Sequence, residues 1–173
     1  LLIGCAGPDR RDPGWGSAAV ANHVVGGTIT SRVDTVLREE KGYTYGTRTS
    51  FAAPRKGGTF SLGGAVRTEV TGAAIGDALR ILREARDGLT EQEVQEAKDS
   101  LIRTAPLRYE QADSVAQQVG SNIANGVPID FADTYLSQIA ATTAVEATDA
   151  YRRYVGANGL RVGFVGEAKH VLP

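Results

Sequence analysis

The chain has 173 residues, of which 42% are hydrophobic and 23% are charged, and its formal net charge is −1. This length and composition predict one globular domain with a proper hydrophobic core. A charge so close to zero argues against a surface built for a nucleic-acid backbone or an anionic membrane. No apolar run is long enough to span a bilayer. The single cysteine, Cys5, excludes an internal disulfide, and we expect it to be a small buried side chain rather than a nucleophile.

The N-terminal sequence, LLIGCAG, predicts a strand that starts at the first residue, and the chain contains no methionine. It lacks the basic stretch followed by an apolar stretch that marks a signal peptide. We therefore expect residues 1–173 to form a single domain that is a fragment of a longer chain. Such a fragment does not reveal its compartment, although a soluble, cytoplasmic protein is slightly favoured.

In chain order, the first predicted elements are a strand over 1–7 and a helix over 17–25. A turn-rich loop containing Pro8 and Pro13 separates them. The helix shows apolar residues at helical spacing and should end at the glycine pair that follows it.

A second helix is predicted to begin after Thr30 or Ser31, either of which can serve as N-cap. One face of this helix is apolar: Val33, Val36 and Leu37. The charged residues are available to the opposite, solvent-exposed face: Arg32, Asp34, Arg38, Glu39 and Glu40. Lys41 suits the last turn and Gly42 the C-terminal stop.

Two strand-like runs follow, over 43–52 and 59–68, and together they predict an antiparallel hairpin with a long loop. Gly63-Gly64 indicates a bulge in the second strand, a close approach of another backbone, or an ordinary twist. The hairpin could leave an exposed edge with which an extended peptide pairs. The basic residues near its loop would favour acidic substrates, although a solvated loop is the simpler interpretation: Arg48, Arg55 and Lys56.

The remainder of the chain is mostly helical. Apolar spacing predicts a helix over 72–86 with a core stripe: Ile75, Ala78, Leu79 and Leu82. Thr90 and Glu93 form a capping box for the next helix, whose inward residues are Val94, Ala97, Leu101 and Ile102 and which should end at Pro106. Further helices are predicted over 114–125, 130–140 and 143–155. Asn158-Gly159 then turns the chain into a final short strand.

The order of these elements is strand, helices, two strands, several helices and a strand. Strands and helices that are grouped in this way, rather than alternating, indicate an α+β fold. We expect an antiparallel β-sheet with helices packed on one face.

The residues whose side chains are best suited to act on a bound group are Arg38, at the end of the second helix, and Tyr45, at the start of the following strand. They lie seven residues apart across a glycine turn, which could bring a guanidinium and a phenol to one place. Such a pair suits a polarised carbonyl, because arginine offers permanent positive donors and tyrosine one directional O–H. The alternative is that Arg38 is solvated or paired with a carboxylate, as most arginines at helix ends are.

The pattern GG-x-x-x-SR-V-x-x-x-LRE-x-KGYTYG over 26–46 resembles the signature of the M16 metallopeptidases, the pitrilysin, insulin-degrading and mitochondrial processing peptidase group. The match is to the C-terminal, non-metal-binding ("inactive") half-domain of that family. The resemblance implies an M16-like metallohydrolase half-domain. It also implies that Arg38 and Tyr45 approach the scissile peptide of a substrate held at the zinc of a second, homologous half.

The chain holds no zinc motif of its own. Its two histidines, His23 and His170, are far apart, and neither belongs to the HxxEH motif of the family. No phosphate-binding glycine loop or nucleophile elbow is present either. We expect no cofactor in this chain, zinc in the partner half, and no catalysis by this chain alone.

The resemblance thus predicts the substrate-binding, non-catalytic half of an M16-like zinc endopeptidase. Its partners would be a zinc-bearing half, on the same polypeptide or a separate one, and a peptide substrate. Two alternatives remain open: a non-proteolytic core subunit of a respiratory complex, and a stand-alone peptide-binding or scaffold domain. The respiratory subunits tend to lose the Arg/Tyr pair, so the presence of Arg38 and Tyr45 favours the peptidase.

Overall fold

Four antiparallel strands form the sheet of the protein: β1 (Leu2–Ala6), β2 (Thr44–Ala52), β3 (Thr59–Val66) and β4 (Arg161–Gly163). Their spatial order is β2-β3-β1-β4, so β2 and β4 are the edge strands. The computed structural model describes residues 1–55, 57–156 and 159–166. The predictions that concern Lys56, Asn158 and His170 lie outside these residues.

The α-helices of the described chain are α1 (Trp15–Asn22), α2 (Arg32–Asp34), α3 (Thr71–Asp87), α4 (Glu91–Thr104), α5 (Ala112–Asn125), α6 (Phe131–Ala141) and α7 (Ala144–Tyr154). Wider, π-helical turns continue α1 over His23–Gly27 and α2 over Thr35–Glu40. Short 3₁₀ turns precede α3, at Thr68–Val70, and follow α4, at Ala105–Tyr109. No helix among the described residues combines the length and the apolar character that crossing a membrane requires.

The core lies between the helices and one face of the sheet. Ile3, Phe60 and Leu62 point from the strands into it, and Tyr151 of α7 meets Phe60 edge-on with ring centroids 6.1 Å apart. The other face of the sheet is left open, as the alternation along β2 shows: Thr47 is buried and Arg48 is exposed. The predicted α+β fold, an antiparallel sheet with helices on one face, is confirmed.

Several local predictions also agree with the structure. Thr90 and Glu93 form the capping box at the start of α4, and α4 gives way to a 3₁₀ turn just before Pro106. Gly42 takes a left-handed conformation with φ of 59° and ends the helical segment that contains Arg38. These features depend on neighbours within a few residues, which a sequence displays directly.

Two predicted apolar stripes are rotated in the structure. In α3 the buried positions are Ala74, Ala78, Ile81, Leu82 and Ala85, whereas Ile75 and Leu79 are only half-buried. In α4, Ile102 is exposed rather than inward-facing. Each helix contains more apolar residues than its neighbours cover, and periodicity alone does not decide which flank packs.

The prediction for Asp34 is wrong. Its carboxylate does not lie on a solvent-exposed face; it is 0% exposed and accepts hydrogen bonds from β2. Val33 and Leu37 are buried as expected. The helix lies against the outer edge of β2, so the face that carries Asp34 is covered as well as the apolar face.

The predicted bulge lies on the other strand of the hairpin. Thr44 pairs with Val66 and Thr47 pairs with Gly64, so Tyr45 and Gly46 together oppose the single residue Ala65. The irregularity is therefore in β2 and not at Gly63-Gly64. A β-carbon on Gly64 would come within 2.6 Å of the Thr47 side chain and 2.8 Å of the Gly46 carbonyl, so the alternative of a close backbone approach agrees with the structure at Gly64.

The edge of β2 is partly occupied rather than open to an added strand. The Thr47 N–H donates to Asp34, at 2.7 Å, and the Thr49 carbonyl accepts from the Asn22 amide, at 3.1 Å. An extended peptide could not pair with β2 at these positions without displacing side chains of this chain.

Candidate functional site

Arg38 lies in the last turn of the helical segment before β2. Its carbonyl accepts from the Gly42 N–H at 3.1 Å, and the Leu37 carbonyl accepts from Tyr43 at 2.8 Å, which closes the helix tightly onto the strand. The Arg38 side chain is 38% exposed, and its Nε lies 3.4 Å from Glu39 Oε1. Exposed pairs of this kind contribute about 0–1 kcal/mol. The guanidinium is therefore available to a partner.

The Tyr45 side chain is fully exposed, with a relative exposure of 102%. It occupies the bulge of β2, where the chain has one residue more than the ladder of β3 requires. Bulges re-aim side chains and occur next to functional sites. In the part of the chain that the structure describes, the Tyr45 hydroxyl has no hydrogen-bond partner.

The hydroxyl of Thr44 secures one side of the bulge. Its Oγ1 donates towards the Ala65 carbonyl at 2.5 Å, lies 3.1 Å from the Gly46 carbonyl, and accepts from the Gly46 N–H at 3.0 Å. These contacts satisfy backbone groups that the irregular ladder would otherwise leave unpaired. The backbone on both sides of Tyr45 is thereby held while its side chain stays in solvent.

The carboxylate of Asp34 secures the other side. Oδ1 accepts from the backbone N–H of Thr47 at 2.7 Å and from its hydroxyl at 3.0 Å, and Oδ2 accepts from Arg48 Nη1 at 2.6 Å. The buried charge is thus compensated by one guanidinium and two further donors, as a buried carboxylate requires. Sequence reasoning missed Asp34, although its position three residues before the buried Leu37 places both on one helical face.

The structure places Arg38 and Tyr45 on consecutive elements that the turn at Gly42 joins, and both side chains are open to solvent. They make no hydrogen bond with each other within the described residues. Any joint action of this pair would therefore be on a third group, such as the backbone of a bound chain. The arrangement offers one cationic fork and one neutral O–H donor, which is a set of donors for carbonyl oxygens.

Metal ligands are not assembled here. Among residues 1–55, 57–156 and 159–166, no group of three or more His, Cys, Asp or Glu side chains could hold a metal ion. His23 is half-buried beside a cavity of about 580 Å³ that Ser31 and Glu96 also line, and its burial lowers its pKa. Cys5 is half-buried rather than fully buried as predicted, and this burial raises the pKa of its thiol, which favours the unreactive thiol form.

Comparisons with known proteins identify the fold and the family. Residues 1–101 match the model of the peptidase M16 inactive domain. A Helicobacter pylori protein named non-peptidase homolog YmxG is 27% identical over 84% of this chain, which spans about a third of that protein, 34% of its length.

Solved structures share the fold. The peptidase M16 inactive domain of Pseudomonas fluorescens superposes with a TM-score of 0.83 at 21% identity, covering 92% of this chain and 38% of that one. A chain of complex III2 of Candida albicans superposes with a TM-score of 0.76 at 13% identity, covering 92% and 40%. The chain belongs to the peptidase M16 inactive domain family.

Proposed function

We propose that this chain is the substrate-binding, non-catalytic half of an M16-like zinc endopeptidase and completes the active site of a zinc-bearing half. The observation that carries the proposal is that Tyr45 is fully exposed on the bulge of β2, whose backbone Thr44 and Asp34 hold by hydrogen bonds. Arg38 lies at the neighbouring helix end. A large aromatic side chain held in solvent contributes little to folding. A tyrosine in this position, with an apolar ring and one O–H donor, is suited to contact a partner.

In the proposed assembly, an extended peptide lies between the two halves. The Tyr45 O–H donates to the carbonyl of the bond to be cut, or to the oxyanion that develops from it. Arg38 holds the adjacent carbonyl or orients the phenol. Zinc in the partner half would polarise the water and the carbonyl. This chain supplies donors that are in position before the substrate binds, so that no reorganisation is needed when charge develops in the transition state.

The test is the Tyr45→Phe variant in the assembly of this chain with its zinc-bearing half. Loss of one oxyanion donor lowers turnover by about 10²–10³, and we expect a decrease of that order in kcat with a small change in KM. Folding should be unaffected, because the hydroxyl makes no contact within the described residues. Tyr109→Phe, the same change in the 3₁₀ turn Ala105–Tyr109, is the control. Wild-type turnover in Tyr45→Phe contradicts the proposed role.

A second candidate function is that of a non-proteolytic structural or peptide-binding subunit. It is favoured by the name of the Helicobacter pylori relative, a non-peptidase homolog. On this view Arg38 and Tyr45 contact a bound chain without a zinc site opposite them. Peptide binding that Tyr45→Phe weakens, together with no cleavage by any zinc-bearing half that binds this chain, would favour this second function.

A further inference from the structure

Arg48 differs from the other exposed arginines in how it is held. Its Nη1 donates to the buried Asp34 carboxylate at 2.6 Å and to the Thr47 carbonyl at 2.6 Å, yet the side chain remains 46% exposed. Most surface arginines are mobile and lose side-chain entropy when they bind. The Arg48 side chain has already lost part of that freedom, because it is hydrogen-bonded to Asp34 and Asp34 is itself buried.

The guanidinium retains unused donors. Arginine has five N–H groups, and the described contacts of Arg48 occupy only those on Nη1. Its Nε and Nη2 have no partner within the described part of the chain. A planar guanidinium with free N–H groups on adjacent nitrogens is suited to bind a carboxylate through two parallel hydrogen bonds.

Arg48 lies directly beside the bulge. A β-carbon built on Gly46 would stand 3.7 Å from Arg48 Nη1 and 3.7 Å from Asp34 Oδ2, so the guanidinium borders the residue that follows Tyr45. A peptide whose backbone reaches the Tyr45 phenol would therefore carry a neighbouring side chain or its terminus past Arg48.

Among the paired residues of the described strands, no acidic residue shares the open sheet face with Arg48. In the register of the strands, its row continues through Gly63, Leu2 and Gly163, and the next row contains Ser50, Ser61, Gly4 and Arg161. The only carboxylate that Arg48 contacts within the described residues is Asp34, whose position leaves the outer donors unpaired. The unused N–H groups of Arg48 are therefore open to an incoming acceptor, and a carboxylate is the strongest acceptor for a guanidinium.

We propose that Arg48, anchored on Asp34, is a substrate-binding residue that takes a peptide carboxylate next to the Tyr45 contact. The inference rests on the proposed function, in that it names the substrate class: extended peptides with an acidic group beside the contacted carbonyl. That carboxylate comes either from a Glu or Asp side chain or from the C-terminus of the peptide.

The experiment measures binding of labelled short peptides to the chain by fluorescence anisotropy. One set carries a single Glu at successive positions of a neutral sequence, each paired with its Gln counterpart. A second set compares a free C-terminal carboxylate with the C-terminal amide. At one position, or at the terminus, we expect the acid to bind about 5- to 10-fold more tightly than its neutral partner. The arm that shows the preference identifies the source of the carboxylate.

The preference should fall to about 1 in Arg48→Gln, and Arg161→Gln, the same change at the opposite edge of the sheet, should keep it. Because the readout is a ratio of two affinities for one variant, lost stability affects both terms alike. Arg48→Lys retains a cation for Asp34 and should keep only part of the preference.

An unchanged ratio in Arg48→Gln, an equal loss in Arg161→Gln, or no preference in the wild type would overturn the assignment. The proposed function is judged separately, by the turnover of Tyr45→Phe with the zinc-bearing half. Peptide binding with an Arg48-dependent acid preference but without cleavage would keep the assignment and count against the peptidase.

Discussion

At the scale of single residues, Asp34 does most to shape the candidate site, although it faces the interior. A buried carboxylate is tolerated only with strong donors around it, and here all of them come from two consecutive residues of β2, Thr47 and Arg48. The same contacts join the helix that ends near Arg38 to the strand that presents Tyr45. The relative placement of the two solvent-exposed side chains, Arg38 and Tyr45, thus depends on a third side chain that is itself buried.

We predict that Asp34→Ala lowers the free energy of unfolding by about 2–4 kcal/mol, because it leaves the donors of Thr47 and Arg48 without their acceptor. Asp34→Asn should cost less, since its carbonyl oxygen can still accept from Thr47. Urea denaturation followed by circular dichroism measures both variants. Glu39→Ala, which removes an exposed carboxylate, is the control and should change stability by less than about 0.5 kcal/mol. An Asp34→Ala variant as stable as that control would show that the buried bonds contribute nothing net.

The prediction of Arg38 and Tyr45 as site residues depends on the family resemblance more than on their chemistry, and the structure shows why their chemistry is weak evidence. The Arg38–Glu39 contact agrees with the alternative of an arginine paired near a helix end. The complete exposure of Tyr45 arises from a bulge that involves a strand about twenty residues further on, and no local pattern reports it. Asp34 was missed because helical periodicity was read for apolar residues only.

At the scale of elements, a single ion pair fastens the start of α2 to the start of α4. Arg32 donates to Glu93 from Nε at 2.6 Å and from Nη2 at 2.7 Å, and Glu93 also accepts from Thr90 in the capping box. The sequence revealed the capping box because its residues are three apart. The link from Arg32 spans sixty-one residues of chain, so only the fold brings it about.

The Arg32 guanidinium, together with the Thr90 donors, lowers the pKa of Glu93 from its ordinary 4.5 to about 2. A carboxyl whose pKa is lower in the folded state stabilises the fold above pH 4.5, and that contribution is lost as the pH falls from 4.5 towards 2. We predict that the free energy of unfolding falls less steeply over this range in Glu93→Gln than in the wild type. Urea denaturation at several pH values gives the slopes.

Glu91→Gln, in the same first turn of α4 but outside the ion pair, serves as the control and should retain the wild-type slope. Equal slopes for Glu93→Gln and the wild type would contradict the stabilising role of the Arg32–Glu93 pair.

At the scale of the whole molecule, α5 is the least integrated of the longer helices. It packs mainly against the 3₁₀ turn Ala105–Tyr109, and it leaves Val115, Val119 and Ile123 exposed, the last by 63%. By contrast, α3 buries five alanine, isoleucine or leucine side chains in the common core. Regions with few buried apolar contacts open at lower free energy than the rest of a fold.

We therefore predict that backbone amides of α5 exchange hydrogen about 10-fold or more faster than those of α3, equivalent to an opening free energy at least about 1.4 kcal/mol lower. Mass-spectrometric exchange on the intact chain measures both helices in one sample, so α3 is the internal control. Equal protection of the two helices would mean that α5 opens only together with the whole fold.

The fold class and the element boundaries could be predicted from the sequence more fully than the order in which the strands pair. Grouped strands and helices indicate an antiparallel sheet covered on one face. Most element boundaries agree with the structure to within about two residues, the accuracy at which helix ends are defined, although β4 is shorter than the predicted strand over 160–166. The pairing of β1 with both β3 and β4 was not predicted, because β1 and β4 are more than 150 residues apart in the sequence. Register between such strands depends on which faces are buried, which emerges only from the assembled core.

The bulge in β2 has an evolutionary consequence. The buried threonines of this strand are spaced by three residues and then by two: Thr44, Thr47 and Thr49. Tyr45 lies in the longer interval, where its side chain makes no contact with the core. The positions that keep the fold are thereby uncoupled from Tyr45, the position proposed to meet a ligand. A descendant could exchange the phenol for almost any side chain and still fold, so the contacts made at this position can change while the architecture is retained.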